Sequence, residues 1–311
     1  MSALIAGSFA FDNILVFHDK FKNHILPDKV HILNVAFLVP SMRREFGGTA
    51  GNIAFNLKLL GDDPIAMGAV GTDFGPYAEW MDKHGISRKY VKEIPEHFTA
   101  QAFITTDEDD NQITAFHPGA MGEAHQQKIA DVTEKVEWGI VSPDGKDAMI
   151  EHSKQFKEAG IPFIFDPGQG LPMFSGDELL ERVDEAEILA VNDYEWQMVQ
   201  DKTGHTAEDL SKRVSTLIVT KGGEGSEIYT QDGMVHVPTA KPNSIEDPTG
   251  CGDAYRAGLL FGLTNGFDWE TTGRIAATMG AYKIESKGPQ NHSFTIDEFK
   301  ARMEENFGSS F

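Results

Sequence analysis

The sequence predicts a doubly wound α/β fold: a mostly parallel sheet with helices on both faces, plus a small β-sheet lid. Three observations carry that expectation. Short apolar runs at 65–70, 138–141, 162–165, 188–191 and 217–220 alternate with helical stretches, the pattern of a parallel sheet covered on both sides. Two segments, 14–46 and 98–116, break the rhythm with strand-like alternation and turn residues. Near the C-terminus, Asp247-Pro-Thr-Gly-Cys-Gly-Asp253 runs into the apolar helical pattern Ala254, Ala257, Gly258, Leu259, Leu260. Such a glycine-rich turn leaves the first N–H groups of a helix free to meet an anion.

Taken in order, residues 3–11 form an apolar run closed by Asp12-Asn13, read as one buried strand with polar groups at its end. Residues 14–17, 31–34 and 37–39 read as short lid strands between Asp, Lys, Asn and Pro turns. Gly47-Gly-Thr-Ala-Gly-Asn52 opens a helix through about Leu60, with Gly61 ending it. A second helix spans 74–84, closed by Gly85. The turn-rich Thr106-Asp-Glu-Asp-Asp-Asn111 divides 98–116 into a hairpin. Helices are expected from Gly250 to about Asn265, from Trp269 to about Ser286 and from Ile296 to about Glu305. The two interruptions are expected to pair as a lid over the sheet edge where open α/β sheets bind ligands. The large domain is then 1–12, 47–97 and 118–311, and the lid 13–46 and 98–117.

Composition narrows the function. Lys plus Arg is 27 against 48 Asp plus Glu, a net charge of −21, which argues against nucleic acid or an anionic membrane as partner. The single cysteine rules out an internal disulfide and Cys-based zinc sites and fits a reducing compartment. The start Met-Ser-Ala-Leu-Ile-Ala-Gly7 lacks a basic n-region, and no apolar run approaches a membrane span. A cytoplasmic protein is therefore expected. The eleven histidines form no His-x-x-x-His or His-Glu-x-x-His spacing.

Four clusters join the 247–253 string as candidate chemistry. Asp12 can accept from two vicinal hydroxyls, and an Asx turn is the plainer alternative. Gly48 allows close backbone approach and Asn52 offers both a donor and an acceptor. Asn192 and Glu195 lie one helical turn apart after a strand, where a capped helix start is the plain reading. Val219-Thr-Lys-Gly-Gly-Glu-Gly225 is a strand followed by a glycine loop, but lacks the Walker A order. A dinucleotide fingerprint is absent after the first strand, which reads Gly7-Ser-Phe-Ala-Phe-Asp12.

The 247–253 string resembles the C-terminal signature of the ribokinase-like (PfkB) carbohydrate and nucleoside kinases. Leu60-Gly61 and Val70-Gly-Thr-Asp73, with the glycines at 47–51, are similar to the N-terminal signature. Wider likeness to the archaeal-type nucleoside kinases and bacterial adenosine kinases lies in Phe165-Asp-Pro-Gly-Gln-Gly-Leu-Pro172, Ile218-Val-Thr-Lys-Gly-Gly223 and Lys287-Gly-Pro-Gln-Asn291.

The resemblance implies a kinase using ATP and Mg²⁺. Asp253 would be the base, with Gly250, Cys251 and Gly252 forming an anion hole; Cys251 stands where Ala or Gly is usual. Asp12, Gly48 and Asn52 would hold the acceptor. Asn192 and Glu195 would organise magnesium through water. Thr220, Lys221, Gly223 and Gly225 would lie along ATP. Asp247 would help hold a monovalent cation such as K⁺, and a homodimer would form through the lid.

The hairpin's Phe103 and Phe116, with His117, are expected beside a nucleobase, because an aromatic face stacks on any base; lid core is the plain alternative. An acceptor nucleoside (adenosine or a broader set) is favoured over fructose or ribose. A non-catalytic regulator on the same fold is the reading from another class, opposed by the retained Asp253. At a helix N-terminus, Cys251 is expected to have a lowered thiol pKa and to be shielded by ATP.

Overall fold

The computed structural model describes residues 2–25, 32, 34–109 and 111–311. Its strands are β1 (Ala3–Ala6), β2 (Ala10–Val16), β3 (Ser41–Gly47), β4 (Ile65–Val70), β5 (Ser87–Glu93), β6 (Ala100–Thr106), β7 (Gln112–His117), β8 (Trp138–Val141), β9 (Phe163–Phe165), β10 (Ile188–Asn192), β11 (Thr216–Thr220), β12 (Ser226–Thr230) and β13 (Gly233–Val237). The helices are α1 (Thr49–Leu59), α2 (Gly75–Lys83), α3 (Lys146–Ala159), α4 (Gly176–Glu185), α5 (Asp193–Thr203), α6 (Ala207–Leu210), α7 (Cys251–Thr264), α8 (Trp269–Ile284) and α9 (Ile296–Phe307). Among the described residues, no helix is long and apolar enough to cross a membrane.

Nine strands form the main sheet in the order β13-β12-β11-β10-β9-β8-β1-β4-β5. From β5 to β11 all neighbours are parallel, while β12 and β13 close one edge as an antiparallel hairpin. Chain order reverses between β1 and β8, and such a switch point opens a crevice at the carboxyl ends of the strands. The central strands are buried on both faces: Leu4, Ile5, Ile140, Ile164 and Ala190 have no exposed surface. Fully burying a residue of the size of Leu or Ile contributes about 1.5–3 kcal/mol, which explains their uninterrupted apolar runs. On one face α7 lies between α1 and α8. Its Gly258 and Gly262 permit the close approach to α8, since a Cβ on Gly258 would stand 2.5 Å from the Ala276 Cα.

The two interruptions do pair, as a four-stranded sheet ordered β3-β2-β6-β7. This sheet is mixed, because β2 runs parallel to β6 while β2–β3 and β6–β7 are antiparallel.

Three local expectations are corrected. The run 3–11 is not one strand: the chain leaves the main sheet after Ala6 and enters the small sheet at Ala10. Asp12 therefore lies inside a lid strand, beside Glu45 and Ala102. The lid's third strand is the polar Ser41–Gly47, not 37–39, because its side chains line a largely exposed sheet face. Of the expected strand at 31–34, residues 31 and 33 lie outside the described residues.

Candidate active site

Asp253 sits half-buried in the first turn of α7. The preceding turn depends on Gly250, whose φ of +82° is left-handed, and a Cβ there would stand 2.8 Å from the Pro289 Cβ. The N–H of Cys251 donates to the Pro248 carbonyl at 3.1 Å, closing the turn. Among the described residues no acceptor takes the N–H of Gly252 or Asp253. Nor would a Cβ on Gly252 meet any atom within 4 Å. The N–H groups of Gly250, Gly252 and Asp253 are thus without an acceptor among the described residues, while that of Cys251 is used within the turn.

A chain of amides orients the Asp253 carboxylate. Trp80 Nε1 donates to Gln290 Oε1 at 2.9 Å, and Gln290 Nε2 donates to Asn52 Oδ1 at 2.9 Å and to the Tyr77 hydroxyl at 2.7 Å. Tyr77 in turn donates to the Gly47 carbonyl at 2.8 Å. Because Asn52 Oδ1 accepts from Gln290, its Nδ2 is the end that donates to Asp253 Oδ2, at 2.8 Å. One carboxylate oxygen is thereby fixed, and the other has no partner among the described residues. Burial drives the Asp253 pKa up to about 7, against the opposing hydrogen bond from Asn52. One turn on, Arg256 is held by Asp166 through Nε–Oδ2 (3.1 Å) and Nη2–Oδ1 (3.2 Å), both residues buried. Gln290, Tyr77, Trp80 and Asp166 were not singled out from sequence. Gln290 and Asp166 fall in quoted motifs, but nothing local shows that an amide reaches Asn52 across 238 positions.

The small sheet carries Asp12, Phe103 and Phe116. Asp12 is aligned with Glu45, Ala102 and, through Ala102, Phe116. Cross-strand partners share a sheet face, so Phe116 lies on the face of Asp12. Phe103 is aligned with Asn13 and Ala115, one residue out of phase, and projects from the other face. The structure therefore brings Phe116, but not Phe103, to the side of Asp12. Burial, then Glu45 and Asp247, raise the Asp12 pKa to about 6. Gly47 hugs this carboxylate: a Cβ on it would fall 2.5 Å from Asp12 Oδ2. Gly48, φ +83°, answers a different need, since a Cβ there would collide with the backbone of residues 8–10.

Across the crevice, Asn192 and Glu195 form the capping box of α5: Glu195 N–H donates to Asn192 Oδ1 and Asn192 N–H to Glu195 Oε2, each at 2.7 Å. Burial, followed by Asp166, raises the Glu195 pKa. Thr220 pairs in register with Asn192 at the sheet edge. Lys221 is ion-paired with Glu227 of β12, so its ammonium is occupied by protein. Gly223 is open on its Cα side, whereas a Cβ on Gly225 would fall 2.2 Å from the Val237 carbonyl oxygen. Gly225 thus serves hairpin packing.

The structure opposes the lowered thiol pKa expected for Cys251. Burial pushes the Cys251 thiol up to about 11, and its Sγ faces the Gly280 carbonyl of α8 at 3.9 Å. Desolvation outweighs the helix N-terminus here.

Residues 15–296 match the pfkB family of carbohydrate kinases. This chain belongs to that family. Among pfkB relatives, a nucleoside kinase of Methanocaldococcus jannaschii is 35% identical over 276 residues, 87% of this chain and 89% of its own length. The solved nucleoside kinase of Burkholderia thailandensis in complex with inosine shares 48% identity and a TM-score of 0.90, covering 99% of both chains. The solved M. jannaschii nucleoside kinase, an archaeal member of the ribokinase family, reaches 0.89 at 31% identity, covering 98% of each chain.

A pfkB kinase working on ATP brings Mg²⁺ into question. Among the described residues no group of three or more His, Cys, Asp or Glu is placed to hold a metal. Glu195 and Asp166 interact closely enough for Asp166 to raise the Glu195 pKa. Both Asp166 oxygens are taken by Arg256, which leaves Glu195, with one oxygen in the capping box, as the carboxylate suited to a cation that keeps its water shell, as Mg²⁺ does.

Proposed function

We propose that the chain is an ATP-dependent nucleoside kinase, transferring the γ-phosphoryl group of ATP to a nucleoside 5′-hydroxyl. The observation that carries this is Asp253: an oriented carboxylate with a pKa near neutrality, in the same helical turn as free N–H groups. A base matched to the working pH and donors aimed at developing charge are what hydroxyl phosphorylation needs. The free oxygen of Asp253 takes the 5′-hydroxyl proton as the 5′-oxygen bonds to the γ-phosphorus. The bond from the γ-phosphorus to the β–γ bridging oxygen breaks, and ADP leaves. The N–H groups of Gly252 and Asp253 steady the phosphoryl oxygens, and positioning does the rest. Mg²⁺, when bound with ATP, would neutralise phosphate charge, with Glu195 and Asn192 holding its waters. Thr220 and Gly223 border the nucleotide.

Asp12 accepts from the ribose hydroxyls and Phe116 offers a face to the base. Similarity to nucleoside kinases along the whole chain, one of them solved with inosine, supports a nucleoside over a free sugar. A homodimer through the lid would use the face bearing Met42, Phe103 and Ile113, each exposed. Comparing adenosine, inosine, guanosine, cytidine, ribose and fructose at equal concentration tests the acceptor. A nucleoside is expected to give the highest kcat/KM; a free sugar in first place would overturn the nucleoside assignment.

A further inference from the structure

Asp247 is where a pfkB-type monovalent cation would be sought, and its surroundings do not fit one. Both carboxylate oxygens are engaged by backbone N–H groups, Oδ1 by Thr249 and Oδ2 by Gly288, each at 2.9 Å. The Asp247 carbonyl, the other oxygen a cation would take, accepts from Lys283 Nζ at 2.8 Å. The same ammonium donates to the Ser286 carbonyl at 3.0 Å. Lys283 has no exposed surface. Burial lowers the Lys283 pKa, and the nearby Cys251 and Asp247 oppose that shift only in part, while two carbonyl oxygens accept from its ammonium. An ammonium carries the charge of K⁺ and meets oxygens at comparable distances, with three donors to distribute.

We propose that Lys283 is a built-in replacement for the monovalent cation, tying the loop before α7 to the loop after α8. The tie reaches the anion site directly. A Cβ on Gly250 would lie 3.6 Å from the Lys283 Cε, so the lysine stem flanks the left-handed residue that aims the Gly252 and Asp253 amides. Backbone bonds from Glu246 and Asp247 N–H to the Ile284 carbonyl stitch the same two loops together. Lys283 is a positioning residue: it acts on the phosphoryl group through the turn, without touching it.

For activity, the inference rests on the kinase reading, so the test pairs turnover with a measurement that needs no activity. Wild-type protein is compared in KCl and in choline chloride at a fixed ionic strength of about 0.1 M. Turnover with ATP and a nucleoside is expected to differ by less than about twofold, below ordinary effector couplings. The thermal midpoint is expected to be the same in both salts. Lys283→Ala should lose about tenfold or more in kcat in choline with a smaller change in nucleoside KM, as for a group that acts in the transition state. KCl or NH₄Cl should restore part of that turnover and raise the variant's midpoint, because an ion now binds the folded state.

Activation of wild type by K⁺ of about fivefold or more, or a K⁺-dependent rise in its midpoint, would overturn the proposal. So would a folded Lys283→Ala protein with wild-type kcat, or one indifferent to K⁺ and NH₄⁺ in both measurements. If the variant fails to fold, the wild-type comparison alone decides. If wild type turns over no nucleoside in either salt, the kinase reading falls and the midpoints still decide the role of the lysine.

Discussion

Asp253→Asn is expected to lower kcat by a factor on the order of 10² to 10⁴, the usual worth of a general base. ATP binding should be nearly unchanged. The substitution keeps shape and lets the new amide oxygen accept from Asn52, so the network through Gln290 survives. For wild type, kcat/KM should fall about tenfold per pH unit below the base's pKa, which lies at about 7; the variant should lose that limb. Stability should move the other way. The carboxyl has an ordinary pKa of 3.8 and is raised to about 7 in the folded chain, so it ionises more readily when unfolded. Ionisation therefore weakens the wild-type fold as pH rises through that window. The variant should melt above wild type at about pH 8, with the gap closing towards pH 4. Near-wild-type turnover in a folded Asp253→Asn protein would remove Asp253 from the role of base.

Gly250→Ala should be nearly as damaging, for a backbone reason. A non-glycine residue at φ +82° costs about 1–2 kcal/mol, and the new methyl would press on Pro289. Relief requires the turn to shift, carrying the Gly252 and Asp253 amides away from the phosphoryl group. Loss of an oxyanion-type donor costs on the order of 10² to 10³ in kcat. The expected signature is a drop of that order in kcat with little change in nucleoside KM, accompanied by a lower thermal midpoint. A KM effect with normal kcat would place the turn in binding instead of catalysis.

The α/β alternation and the helix limits were legible because buried parallel strands and their covering helices leave strong apolar periods. The expected and observed bounds of β4 and β8 coincide, and those of α7 and α8 agree within about two residues, the usual uncertainty of helix ends. Strands without such a period escaped notice. β5 is Ser-Arg-Lys-Tyr-Val-Lys-Glu at a sheet edge, and the β12–β13 hairpin turns through Gln231-Asp232 with mixed side chains. The break in the run 3–11 depends on a tertiary contact, since a Cβ on Gly7 would fall 2.1 Å from the Ser142 Oγ.

At the candidate site, the structure joins Asn52 to Asp253 by a hydrogen bond, two residues that separate motifs had each singled out. Separating Phe116 from Phe103 requires strand register, which two aromatics in one hairpin do not reveal. The ion pair of Lys221 with Glu227, six residues on, was not legible from the local glycine loop. The role of Cys251 turned on burial, which overrode the local helix-end argument.

The most direct test of the account is product analysis of wild-type protein incubated with ATP, Mg²⁺ and inosine, resolved by chromatography and ³¹P NMR. The account predicts inosine-dependent ADP matched one to one by inosine 5′-monophosphate, with 5′-deoxyinosine inert as an acceptor. ADP formation that is independent of a nucleoside, or a phosphoryl group on any position other than the 5′-oxygen, would contradict it.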